Sequence, residues 1–277
     1  MPSSSSLTRP PEWPAGDGAR YRVALVFVVG LGIACVPVGF GFAAIGRPAA
    51  LKYLLLLAAL FLLTAAYGLV TRVRPPHRPG DIGITEYAGH PATEIRYSGQ
   101  AFAIMAALPG CLAAICLLAA IDFARAGEDV PAAPLGTALT GLAAAFFLSF
   151  FVFLALGRLR RGRIVLAQQG IHQRGRAFSS FLPWEAFAGV KAAYNGTPEV
   201  LVIAYANVPW EKRQLGGVWK LDKLPPVPMI EIDTTALALD PNLVYHLVRF
   251  YVDNPAARVE LGTGASIERA RAGTFDR

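Results

Sequence analysis

The chain has 277 residues, of which 54% are hydrophobic and only 16% charged, whereas soluble domains carry about 25% charged residues. That balance excludes a soluble single-domain enzyme, a disordered tail protein and a disulfide scaffold, and it points to a membrane. A net charge of +7 often signals nucleic-acid binding; here no nucleic-acid partner is expected, because membrane proteins keep Lys and Arg in cytoplasmic loops to set their orientation.

Residues 1–20 read as a disordered N-terminal tail, and a four-helix transmembrane domain follows over 21–157. Four apolar runs, residues 23–45, 51–70, 102–121 and 135–156, reach the length a bilayer crossing needs, about 20 residues. The one charge inside these limits is Lys52, at an edge from which its ammonium can snorkel outward. Asp122 lies just past the third run and reads as an interfacial residue. The first run is too long for a cleaved signal peptide, and no small-residue cleavage site leads from it into a soluble domain.

The loops sort by charge. Arg9, Arg20 and Arg22 precede the first span; Arg72, Arg74, Arg78 and Arg96 follow the second; Arg158, Arg160, Arg161 and Arg163 follow the fourth. The other two connections carry Arg47 and Lys52, and Arg125 beside Glu128 and Asp129. The positive-inside rule then predicts a multi-pass plasma-membrane protein with both termini and the middle loop in the cytoplasm.

The turn at 46–50 is short enough to close a helical hairpin, so the spans form two hairpins joined by residues 71–100. Small residues recur every fourth position at Thr137, Gly141, Ala145 and Ser149, and at Ala106, Gly110 and Ala114. Such stripes let helices approach closely, within the chain or between copies, so a homo-oligomer stays open. Pro37 and Pro109 are expected to kink their helices. No ionisable residue falls at bilayer depth, which argues against a pump or an ion-coupled transporter. Cys35, Cys111 and Cys116 read as small apolar fillers.

Within the middle connection, residues 81–87 and 93–97 alternate as strands around Gly89-His90. A lone hairpin is marginal in water, so it is expected to dock on the C-terminal part as extra strands or an edge cover. From Arg158 onward the texture is that of a soluble domain, with 16 Lys and Arg against 11 Asp and Glu. Residues 164–167 read as a strand, 171–178 as its return, and 189–194 and 199–205 as a pair around the hairpin signal Asn195-Gly196. Residues 218–221 are a further strand candidate, and 229–233 alternate as another. Asp240 is a good N-cap and Pro241 suits the first helical position. Leu243, Val244, Leu247, Val248, Phe250 and Tyr251 then give one apolar helix face. Residues 262–277 read as a polar tail with room for a short helix.

The run Ile164-Val-Leu-Ala-Gln-Gln-Gly-Ile171, then Pro183-Trp184-Glu185-Ala-Phe187, then the helix ending Asn254-Pro255-Ala-Ala-Arg258 resembles bacterial pleckstrin-homology-like (PH-like) domains attached to membrane spans, frequent in high-GC actinobacteria. The resemblance implies an α+β barrel or sandwich over residues 158–261, cytoplasmic and capped by its C-terminal helix. It also implies that Trp184 is a structural corner residue packed into that barrel.

A search for chemistry yields no catalytic group, no metal site and no cofactor. His77, His90, His172 and His246 show no metal spacing. Glu231 and Asp233 share a strand face without an acid–base partner, and Gly262-Thr-Gly264 lacks the strand and the Lys-Ser/Thr continuation of a phosphate cradle. Two basic features remain. Arg158, Arg160, Arg161 and Arg163 follow the last span, and Arg174 and Arg176 resemble the basic pair with which some PH domains grip phosphoinositides; all six are candidates for anionic-lipid contact. The sequence therefore predicts a non-enzymatic, polytopic membrane protein that displays a PH-like module for protein interaction or scaffolding. Its alternatives are anionic-lipid sensing by that module and, third, a transporter or channel component.

Overall fold

A computed structural model describes residues 7–14, 18–73, 82–127, 130–222 and 224–275. Arg74, His77, Arg78, Glu128 and Asp129, used in the sequence reading, lie outside these described residues. The described residues divide into two compact units.

The first unit holds the apolar helices α1 (Gly18–Ala44), α2 (Pro48–Gly68), α3 (Gly99–Ala126) and α4 (Ala133–Ala155). One wide helical turn, Leu69–Val73, continues α2. All four are long and apolar enough to cross a membrane. The local reasons are simple: runs of Ala and Leu favour helix, and Pro48 sits at the start of α2, where its missing N–H costs nothing. The helices run through Pro37 and Pro109.

Helix packing agrees with the sequence expectation on α3, where a Cβ added at Gly110 would lie 3.1 Å from Phe151 Cζ, and departs from it on α4. α1 meets α2 through Gly32 and Gly39, where an added Cβ would lie 3.2 Å from Leu62 Cγ and 3.0 Å from Leu51 Cδ1. The anticipated stripe on α4 is only partly covered: Gly141 has nothing within 4 Å of an added Cβ and Ala145 is exposed, while Thr137 and Ser149 are half-buried. The residues that α4 buries are Ala133, Ala144 and Phe150. Lys52 and Asp122, read separately as interfacial residues, bind one another at 2.6 Å, and the Tyr53 hydroxyl donates to the same carboxylate at 2.6 Å.

The second unit is mostly antiparallel sheet. Its strands are β1 (Ile82–Tyr87), β2 (His90–Arg96), β3 (Arg163–Ala167), β4 (Gly170–Arg174), β5 (Phe178–Pro183), β6 (Phe187–Tyr194), β7 (Pro198–Ala204), β8 (Glu211–Gln214) and β9 (Met229–Asp233). They form a six-stranded sheet in the order β1-β2-β3-β4-β5-β8 and a three-stranded sheet β6-β7-β9. These are two open sheets rather than a closed barrel. The middle-loop hairpin is integral to the larger one, because β2 pairs with β3 from Thr93↔Leu166 to Arg96↔Arg163.

Alternation along the strands builds the core. Ile95, Ile164, Leu166, Ile171 and Leu182 come from one sheet and Val200, Val202, Ile230 and Ile232 from the other, all with 0% exposure. Helix α5 (Pro241–Asp253) adds Val244, Leu247, Val248 and Tyr251. Its start matches the sequence reading: the Asp240 side chain accepts from Asn242 N at 2.8 Å and Pro241 opens the helix.

Three expectations are corrected. Residues 7–14 are not a disordered tail, since Trp13 is buried in this core. The strand expected over 171–178 is two, because Gly175, against the Phe178 ring, begins the reversal between β4 and β5. The strand expected at 218–221 forms instead at the charged segment Glu211–Gln214, which pairs along the sheet edge with β5. The short helix for which the sequence left room in the polar tail is α6 (Gly264–Ala272), which buries Ser266 and Ala270. Gly262 serves packing: its φ is +81° and an added Cβ would lie 2.3 Å from the Pro91 carbonyl carbon.

Candidate ligand-binding groove

Strand pairing stacks Arg174 against Ser179 and Ser179 against Arg213, and likewise His172 against Phe181 and Phe181 against Glu211. These side chains therefore share one face of the larger sheet, away from the core. Tyr87 reaches over them from the end of β1, stacked on His172 at 4.9 Å and on Phe181 at 5.8 Å. The result is an open groove of about 620 Å³. Tyr87, His172 and Phe181 make it aromatic, and Trp210, Arg174, Glu211, Lys212 and Arg213 complete its lining.

Electrostatics follow from the placement. The Lys212 ammonium lies 4.3 Å from the Trp210 ring centroid, and the Trp210 indole N–H donates to Ser180 Oγ at 2.7 Å. Burial, with Arg163 and Arg174 nearby, pushes the His172 imidazole down to about 4, so the ring is neutral at pH 7. Its Nε2 pairs with Ser179 Oγ at 2.9 Å. Burial, Arg160 and Arg163 lower Arg174 as well.

The six arginines expected at lipid fall into two groups. Arg158 and Arg160 are exposed just beyond α4. The other four are half-buried and engaged within the unit. Arg161 donates to the Tyr97 carbonyl. Arg163 lies 3.1 Å from Glu94, and Arg174 donates to the carbonyls of Phe178 and Arg158 at 2.8 and 3.1 Å. Arg176 pairs with Asp222 at 3.5 Å. Only Arg174 among the six lines the groove. Lys212, Arg213, Trp210 and Tyr87 were missed by the sequence reading; the one available signal was the compact Trp210-Glu-Lys-Arg213 run.

The remaining candidates have structural surroundings. Trp184 is buried in a short 3-10 turn at the corner between β5 and β6. Its N–H donates to the Ala167 carbonyl at 2.7 Å, and the Arg258 guanidinium covers its ring at 4.6 Å. His246 Nε2 pairs with the Thr8 carbonyl at 2.8 Å. Asp233 accepts from Thr235, while burial and mutual repulsion with Asp233 raise Glu231. Burial followed by repulsion from Glu231 and Asp233 raises Glu199 too. Among the described residues no cluster of three His, Cys, Asp or Glu could hold a metal ion. Comparisons with protein families, characterised proteins and solved structures return no match for this chain.

Proposed function

We propose that the chain is a polytopic plasma-membrane protein that presents a cytoplasmic, PH-like module for protein interaction or scaffolding, and that it acts by binding rather than by catalysis. The observation that carries this reading is the groove on an outward sheet face, lined by aromatic and basic residues, a shape suited to holding a ligand. The PH-like assignment draws on the antiparallel strands, the Trp184 corner and the single amphipathic helix α5; two open sheets and the added strands β1 and β2 are departures from that pattern.

Sidedness has its own support. Trp13 before α1, the hairpin between α2 and α3, and the chain after α4 share one core. Segments that fold together lie on one side of a bilayer, so each helix pair returns to the side it left. The concentration of Arg on those same segments makes that side the cytoplasm. The test is a cysteine at Asn195, in the turn between β6 and β7, in a chain lacking the three native cysteines. A maleimide that cannot cross the membrane should leave it unlabelled in intact cells and label it after lysis; labelling in intact cells refutes the reading.

Exposure of Arg158 and Arg160 favours a second role, contact with anionic headgroups, worth about 1 kcal/mol per cation at a membrane surface. In nanodiscs, phosphatidylglycerol should slow amide exchange over residues 157–163 relative to phosphatidylcholine alone. Equal exchange in both lipids removes this role.

A further inference from the structure

We infer that the groove beside β8 binds an acidic, extended peptide segment of a partner protein, laid along the free edge of that strand; this deepens the module reading and rests on it. β8 ends the six-stranded sheet, and all four of its residues are exposed. Every second residue of an edge strand turns its N–H and C=O away from the sheet, a template on which another strand can pair. A peptide added there directs alternate side chains over the groove, where the lining offers the Tyr87 and Phe181 rings.

Charge selects the occupant. Arg174 and Arg213 share its face with the single carboxylate of Glu211, and Lys212 adds a cation from the alternate position of β8, so an acidic strand is attracted and a basic one repelled. Lysines and arginines on an edge strand also discourage indiscriminate pairing; an acidic peptide is the partner that converts this protection into recognition. An extended ligand fits better than a compact anion, because Arg174 and Arg213 stand on either side of Ser179, one strand apart from each other across β5, rather than gathered at one point.

The experiment uses the full-length protein in phosphatidylcholine nanodiscs and a fluorescent peptide of alternating Glu and Phe. Binding should saturate, weaken as salt rises, and fall at least tenfold in the K212E/R213E variant. Because Lys212 packs on Trp210, R213E alone serves as a second variant and should lose affinity while native tryptophan fluorescence is kept. A peptide of alternating Lys and Phe should not bind. Unchanged affinity in both variants, or equal binding of the Lys peptide, overturns the inference. Full displacement of the peptide by inorganic phosphate, or by phosphatidylglycerol in the nanodisc, overturns it in favour of a small anion or a lipid headgroup. Both faces of a nanodisc are accessible, so failure here with position 195 protected in cells removes the groove assignment alone. Labelling at 195 with peptide binding intact removes only the cytoplasmic placement.

Discussion

The indole N–H of Trp13 donates to the carbonyl of Ala193, 2.9 Å away and 180 residues later in the chain. The same ring meets Tyr245 of α5 edge to face at 5.9 Å. A residue placed before the first apolar helix thus completes a core built mainly after the last one.

Replacing Trp13 with Ala removes a buried aromatic ring, a change that costs about 3–5 kcal/mol in a packed core. Amide exchange in β6 and α5 of the full chain should accelerate accordingly. Trp13→Phe should recover most of the protection, losing chiefly one hydrogen bond at about 1 kcal/mol. Unaltered protection in the Ala variant would show that residues 7–14 do not contribute to the core.

Glu94 joins the inserted hairpin to β3. Burial raises its carboxyl, but hydrogen bonds from Arg96 at 2.8 Å and Arg163 at 3.1 Å outweigh burial and hold it below the ordinary 4.5. A depressed folded value means that its stabilisation is present above pH 4.5 and is lost as pH falls through the folded value. Glu94→Gln should expose the β2–β3 amides at pH 7, at a cost of about 1–3 kcal/mol, and should flatten the pH dependence of their exchange below 4.5. An unchanged acid limb would refute the role.

His172 contributes at higher pH. Its imidazole ordinarily titrates at 6.5 and is pushed down to about 4 in the folded chain. The unfolded chain binds more protons between these values, so stability present above 6.5 declines as pH drops toward the folded value. Allowing for screening of a half-buried ring, the full effect is about 1–2 kcal/mol. Denaturation monitored by β4 and β5 amides should show this slope in the native chain and lack it in His172→Phe.

Gly162 faces Tyr97, where an added Cβ would lie 2.3 Å from ring carbon Cδ2. The Tyr97 N–H also donates to the Gly162 carbonyl at 3.0 Å, which prevents the backbone from simply moving apart. Gly162→Ala should therefore destabilise by about 1–3 kcal/mol. Shortening the ring in Tyr97→Leu should relieve part of that cost; strictly additive effects of the two substitutions would contradict direct contact.

How much of this was readable in the sequence depends on the range of the forces involved. The four apolar helices and α5 were legible because each is specified by its own residues: continuous apolar length in one case, and a cap, a proline and a periodic face in the other. The pairs β1–β2 and β6–β7 were legible for the same reason, with Gly89 and Gly196 supplying positive φ at their turns. Tertiary structure alone decided which segments share a core and which charges meet. Arg163 read as a lipid-facing cation until β2 brought Glu94 beside it. The segment Glu211–Gln214 carries no apolar alternation, and it becomes a strand only because β5 offers an edge to pair with. The groove has a similar origin: its residues come from β1, β4, β5 and β8, and their convergence is a property of strand register, which no local pattern along the chain encodes.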